Sequence, residues 1–282
     1  MTNRSRILQG GVGLWAIFYF VIAIGGGAGY DSHAYWLTRN GIRYLADPGQ
    51  RDAYLYSPAF AQLIRPLTLL PWPVFGFLWA SLATATYLWL TRALEPRWRL
   101  VILALCLGDI VYGNVWWLLT ITLAFGLRRP ALWAIPVLLK LTPAVGLVWF
   151  AARREWRNLG VAVTVVGVVT AVSLYIAPGA WMDWAGLLGH GHPTTFTDTP
   201  VSRAVRLIAA FALTVYAART DRPRLLPVAL LLAAPMLSLN GIAVFAALAH
   251  LDPGRRTARL EWWVARRGRR FRRFGRLAGV GA

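Results

Sequence analysis

Lysine is almost missing from this chain. Of its 30 Lys and Arg residues a single one, Lys140, is a lysine. Acidic side chains are few as well, 11 in 282 residues, and charged residues of both signs make up only 15% of the sequence. Cysteine occurs once, as Cys106 within an apolar run, which excludes an internal disulfide or a thiolate metal framework. So little charge beside 57% hydrophobic residues and 15 tryptophans excludes a soluble globule. One core of this size cannot hide that much apolar surface. The apolar runs also lack the strict alternation that the strands of a membrane barrel need.

What the chain does have is long apolar runs. A helix crosses a bilayer with about 20 residues at 1.5 Å each, and within lipid only helices or closed barrels satisfy their backbone. The expected fold is therefore all-α, a polytopic integral membrane helical bundle. It has about eight apolar segments, over 11–29, 72–91, 99–112, 114–127, 130–152, 158–178, 203–219 and 225–251. The first follows Arg4 and Arg6 but lacks a small-residue cleavage site before a polar region, so it reads as a retained helix. Two segments are broken, one by Lys140-Leu141-Thr142-Pro143 and one by the stretch from Pro235 to Gly241. Proline removes a backbone donor and glycine loosens a helix, so either break can turn the chain back.

Arginine placement chooses between threadings, because basic loops stay cytoplasmic. If both broken segments return to the side they entered, 23 arginines are cytoplasmic and six are outer; single spans give 19 and ten. The re-entrant threading is the better of the two. It puts both termini in the cytoplasm of a plasma-membrane protein. Residues 1–253 then form the embedded domain, with an outer loop over 30–71 whose part 57–73 lies along the membrane face. Residues 254–282 form a juxtamembrane tail with ten arginines, Trp262, Trp263, Phe271 and Phe274, suited to anionic lipid headgroups. The net charge of +19 does not indicate nucleic acid, since the arginines sit in short loops and the tail rather than on a folded basic face.

Several residues are candidates for chemistry. Asp31 sits at the mouth of the first helix, either as the edge of a membrane-embedded pocket or as an ordinary solvated carboxylate. Lys140, inside an apolar run, is a functional residue, a snorkelling cation or the partner of Asp109. Arg203 and Arg206 open the seventh segment and suit an anionic group or lipid headgroups. His33 and Tyr35 follow Asp31 closely and can border the same pocket. His190 and His192, in GHGHPTTFTDTP, form at most a weak metal pair; the stretch reads as a flexible outer loop with a possible acceptor contact, and neither metal nor cofactor is expected. Trp116, Trp117, Trp181 and Trp184 are expected in the interfacial aromatic belt.

Four ordered stretches resemble glycosyltransferase family 87, the polyprenyl-phosphate-sugar-dependent mannosyltransferases of the GT-C fold. They are Asp31-Ser32-His33-Ala34-Tyr35 after the first helix, and Tyr56-Ser57-Pro58 leading through Pro66-Leu67-Thr68-Leu69-Leu70-Pro71 to Trp79. Then come Gly113-Asn114 at the head of a helix, and Lys140-Leu141-Thr142-Pro143 followed by Arg153-Arg154-Glu155-Trp156. The family's Gln-x-Asn stands here as Asn114-Val115-Trp116. A late Ser-Pro-x-Ser-Trp-x-His-like stretch survives as Ala234–Asn240 without its Trp and His, so that Asn240 occupies the histidine's place.

The resemblance implies transfer of a hexose, mannose by preference, from a polyprenyl-phosphate donor to a lipid or glycan acceptor on the outer face. It makes Asp31 the base, Lys140 with Arg203 and Arg206 the holders of the donor phosphate, and His33, Tyr35, Asn114, His190, His192 and Asn240 possible acceptor or pocket residues. Two other classes stay open at this point. One is a transporter or lipid flippase, which also uses broken helices with polar residues, although no internal repeat relates the two halves. The other is a non-catalytic relative of the transferases.

Overall fold

A computed structural model describes residues 28–44, 46, 49–140, 144–189, 199–235 and 237–251. Proline marks most helix starts, because the first turn has no use for its missing N–H. It stands in the first turn of α2 (Pro58–Thr68), α3 (Trp72–Thr91) and α4 (Pro96–Tyr112), which follow the short α1 (Tyr30–Leu37). The chain continues through α5 (Trp116–Phe125), α6 (Ala134–Lys140), α7 (Val145–Ala152), α8 (Trp156–Ile176), α9 (Pro178–Gly189), α10 (Pro200–Arg219) and α11 (Leu226–Ala233) to a 3-10 helix over Leu239–His250. No strand occurs among the described residues.

Among the described residues three helices, α3, α8 and α10, are long and apolar enough to cross a bilayer. The sequence-derived count of eight segments is not reproduced. Trp116–Phe125, Pro130–Lys140, Pro223–Ala233 and Leu239–His250 form shorter apolar helices, and ten α-helical residues reach only about 15 Å. The segment 11–29 lies almost wholly outside the described residues, and the tail 254–282 lies entirely outside them. On α8 only Ala162 and Ser173 are buried, while Val163, Val168, Val172 and Ile176 are exposed. An apolar surface that large is stable only against lipid or another protein. This is a membrane protein.

The bundle has two ends, and side-chain contacts identify which end each helix reaches. At the loop end, α3 starts beside α1, with the Trp72 ring 4.7 Å from His33. α4 finishes there, since Gly29 donates its N–H to the Val111 carbonyl at 2.7 Å. At the far end, His250 lies 3.1 Å from the Leu90 carbonyl and 5.3 Å from the ring of Phe125, so α3 and α5 both finish beside it. α6 then runs back along α5. It starts with Trp133 against Gly126 and ends with Lys140 over the ring of Trp116.

Both broken segments turn back. A Cβ at Gly146 would collide with the Trp133 ring, whereas a straight helix would set those residues about 20 Å apart. α8 starts beyond α7 and finishes at the loop end, where Gln62 donates to the Ser173 carbonyl at 3.2 Å. Its 21 residues place its start at the far end. The 130–152 segment therefore enters and leaves at the far end; residues 141–143 lie outside the described residues. The last segment behaves likewise. Arg153 bonds the Ala218 carbonyl and Asp221 at the far end, Arg206 bonds the Ala234 carbonyl near the loop end, and His250 returns to the far end. The returning limb presents Gly241, Ala243, Ala246 and Ala247 to the interior, small enough to lie close against α4 and α5.

Candidate active site

The site forms where the head of α1 meets the joint between α4 and α5. Two glycines make that approach possible. Gly29 precedes α1 with φ 73° and Gly113 ends α4 with φ 69°, both in the left-handed region that favours glycine. A Cβ on Gly113 would collide with the Ser32 side chain, so this end of α4 sits directly on the first turn of α1. Trp79 ties the joint to α3 by donating to the Gly113 carbonyl at 2.9 Å.

Asp31 lies in that first turn, half-buried. Its Oδ2 accepts a 2.7 Å hydrogen bond from Asn114 Nδ2. Asn114 Oδ1 in turn accepts the Val115 N–H at 2.7 Å, which fixes which end of the amide faces Asp31. Burial raises the Asp31 carboxyl above its ordinary range, and the Asn114 bond and the Lys140 charge pull it partly back.

Lys140 arrives from the other side because α6 runs antiparallel to α5. Its Nζ stands 4.5 Å from the Trp116 ring centroid and 6.0 Å from that of Tyr56. At such distances an aromatic face attracts an ammonium. Its charge acts on both Asp31 and Asp109. Asp109 is fully buried and caps α5: Oδ1 accepts the Trp116 N–H at 3.2 Å, and Oδ2 accepts the Trp117 N–H at 3.1 Å and the Tyr87 hydroxyl at 2.6 Å. These bonds satisfy donors that a helix start otherwise leaves open.

The other sequence candidates scatter. Tyr35 is fully buried behind Asp31 and donates its hydroxyl to Tyr56 at 3.1 Å, so it is a packing residue rather than an open pocket wall. His33 turns away from Asp31 toward Asp52 and packs between Trp36 and Trp72. Residues two apart on a helix do not share a face. Arg206 bonds the carbonyls of Ala234 and Pro235, holding the turn of the last segment, and Arg203 lies one turn before it on α10. Asn240 packs against Gly108, next to Asp109, and Gly241 against Trp116, so both stand behind the site. His190 and His192 lie outside the described residues.

The aromatic-belt expectation fails for Trp116, Trp117 and Trp184. All three are buried, 0%, 8% and 7% exposed, and Trp116 is the platform under Lys140. Tyr56 and Trp116 stand in stretches that carry the family resemblance, but their place around Lys140 was not read from the sequence; it depends on α6 running back over α5.

A family model for Glycosyltransferase family 87 matches residues 54–272, well over half of the chain. Neither a curated protein nor a solved structure matches it. Asn114, Lys140, Arg203, Arg206 and Asn240 fall inside the match, and Asp31 precedes it.

Proposed function

We propose a reaction from a plain premise: the chain belongs to glycosyltransferase family 87. It is a membrane glycosyltransferase, and the reaction we assign to it is transfer of a hexose, mannose by preference. The donor is a polyprenyl-phosphate sugar and the acceptor a hydroxyl of a lipid or glycan on the outer face of the plasma membrane. The acceptor oxygen attacks the anomeric carbon, the carbon–oxygen bond to phosphate breaks, and the phosphate leaves with the electron pair. The acceptor proton passes to Asp31. Lys140 meets the phosphate as a compact charge with three donors.

The observation that carries this reading is that the chain's one lysine, over the Trp116 ring, comes near enough for its charge to act on Asp31 at the loop end. Three features support the roles. Asp31 Oδ1 holds no hydrogen bond among the described residues and is open to a proton. Its raised pKa brings a carboxylate closer to useful basicity at neutral pH. The re-entrant turn delivers a cation to the level of that carboxylate. Arg203 and Arg206 are assigned to the approach of the anionic donor, and the tail 254–282 to anionic lipid.

The test uses the full-length protein in lipid nanodiscs with polyprenyl-phosphate mannose and a membrane lipid extract. Asp31→Asn is expected to abolish transfer while donor binding persists. Lys140→Ala is expected to weaken donor binding as well. Wild-type transfer by Asp31→Asn would remove Asp31 as the base. Translocation of the donor across the bilayer with no sugar transferred would favour a flippase instead.

A further inference from the structure

Among the described residues one residue holds Asp31, and that residue is itself held. Asn114 Nδ2 donates to Asp31 Oδ2 at 2.7 Å, while Asn114 Oδ1 is occupied by the Val115 N–H at 2.7 Å. The Asn114 backbone N–H donates to the Asp109 carbonyl at 3.1 Å, and the Asp109 side chain caps the helix that follows. Every polar group of Asn114 that could turn its amide over is thereby committed. On the other side, Ser32 packed on Gly113 fixes the first turn of α1 against the same joint. The α4–α5 joint is a bracket, and the group it presents is an amide N–H aimed at one oxygen of Asp31.

We infer that Asn114 is the positioning residue of the transfer reaction: it holds Asp31 by Oδ2 so that Oδ1 faces the acceptor hydroxyl. The inference rests on Asp31 acting as the base. An unheld carboxylate rotates about its terminal bond and offers either oxygen. Worse, it can swing onto Lys140, whose charge already reaches it, and there it would compete with the donor phosphate. The Asn114 donor suits the ionised carboxylate and also permits its protonation on Oδ1 at the end of the reaction. The other titratable groups around Asp31 are Lys140, Asp109, Tyr35 and Tyr56.

Asn114→Asp separates this role from a structural one. The new carboxylate can still accept the Val115 N–H, so the joint keeps its cap, but it can no longer donate to Asp31. In the nanodisc assay with polyprenyl-phosphate mannose and lipid extract, kcat at neutral pH is expected to fall about 100-fold. KM for the donor is expected to stay within about threefold. The acidic limb of the kcat profile is expected to move up by at least about one pH unit, as a like charge beside Asp31 requires.

Asn114→Ser supplies a second measurement should the first variant fold poorly; it shortens the side chain beyond reach of Asp31, and a smaller upward shift is expected because the lowering Asn114 bond is lost without a like charge being added. An unmoved acidic limb in both variants, with Asp31→Asn inactive, overturns the positioning role and leaves Asp31 as base. Activity in Asp31→Asn overturns the reading beneath it.

Discussion

Two carboxylates stand on either side of Lys140, and they are finished very differently. Asp109, at the α4–α5 joint, has no exposed surface and three hydrogen bonds spread over both oxygens. Asp31, at the head of α1, is half-buried and, among the described residues, has only one oxygen bonded. A fully buried carboxylate with both oxygens bonded is a structural cap. One held by a single oxygen at a partly open edge keeps capacity for a proton. On the proposed reading, the same residue type near the same cation divides into scaffold and chemistry according to what remains unsatisfied.

Interchanging the damage tests that division. Asp31→Asn should reduce transfer about 10³-fold, equivalent to about 4 kcal/mol of barrier. It should leave the thermal midpoint in nanodiscs near wild type, and a collapse of that midpoint would place Asp31 with the scaffold. Asp109→Ala should do the reverse. It strands two helix-start N–H groups and the Tyr87 hydroxyl in the interior and should cost about 3 kcal/mol of stability, read by chemical denaturation. A stable, poorly active Asp109→Ala protein would erase the distinction.

Tyr87→Phe removes one of the three bonds to Asp109 and should cost about 1.5–2 kcal/mol, with transfer per folded molecule preserved. pH sharpens the contrast further. The Asp31 pKa is raised, and a base works ionised, so activity should rise with pH through a limb lying above the ordinary carboxylate range. A limb at or below that range would mean another group limits the rate.

His33 tests the edge of the site and carries the smallest effect. It faces Asp52 and two tryptophans rather than Asp31, so His33→Ala should change transfer less than about threefold while lowering stability by about 1 kcal/mol or less. A loss of transfer comparable with that of Asp31→Asn would return His33 to the chemistry.

Much of this molecule was legible in its residues. The membrane class followed from the apolar runs and scarce charge, helix starts were marked by proline, and the turning back of 130–152 and 225–251 followed from where the arginines stand. Asp31 and Lys140 stood out because each breaks its surroundings. Trp116 misled, since a tryptophan near a segment end fits an interfacial belt and a buried platform equally well. Arg206 was legible as a cation opening a helix; that its guanidinium bonds the carbonyls of Ala234 and Pro235, almost thirty residues further on, was not.

The sequence by itself determined the solvent this protein lives in, the places where its helices start and break, and two charges, Asp31 and Lys140, as candidates for chemistry. Those are local properties: hydropathy over a window, a missing N–H, one lysine among apolar neighbours. The tertiary structure alone decided which carboxylate Lys140 leaves open and which residues serve it. Asp31 and Asn114 are 83 positions apart, and their meeting depends on two glycines that let the end of one helix sit on the start of another.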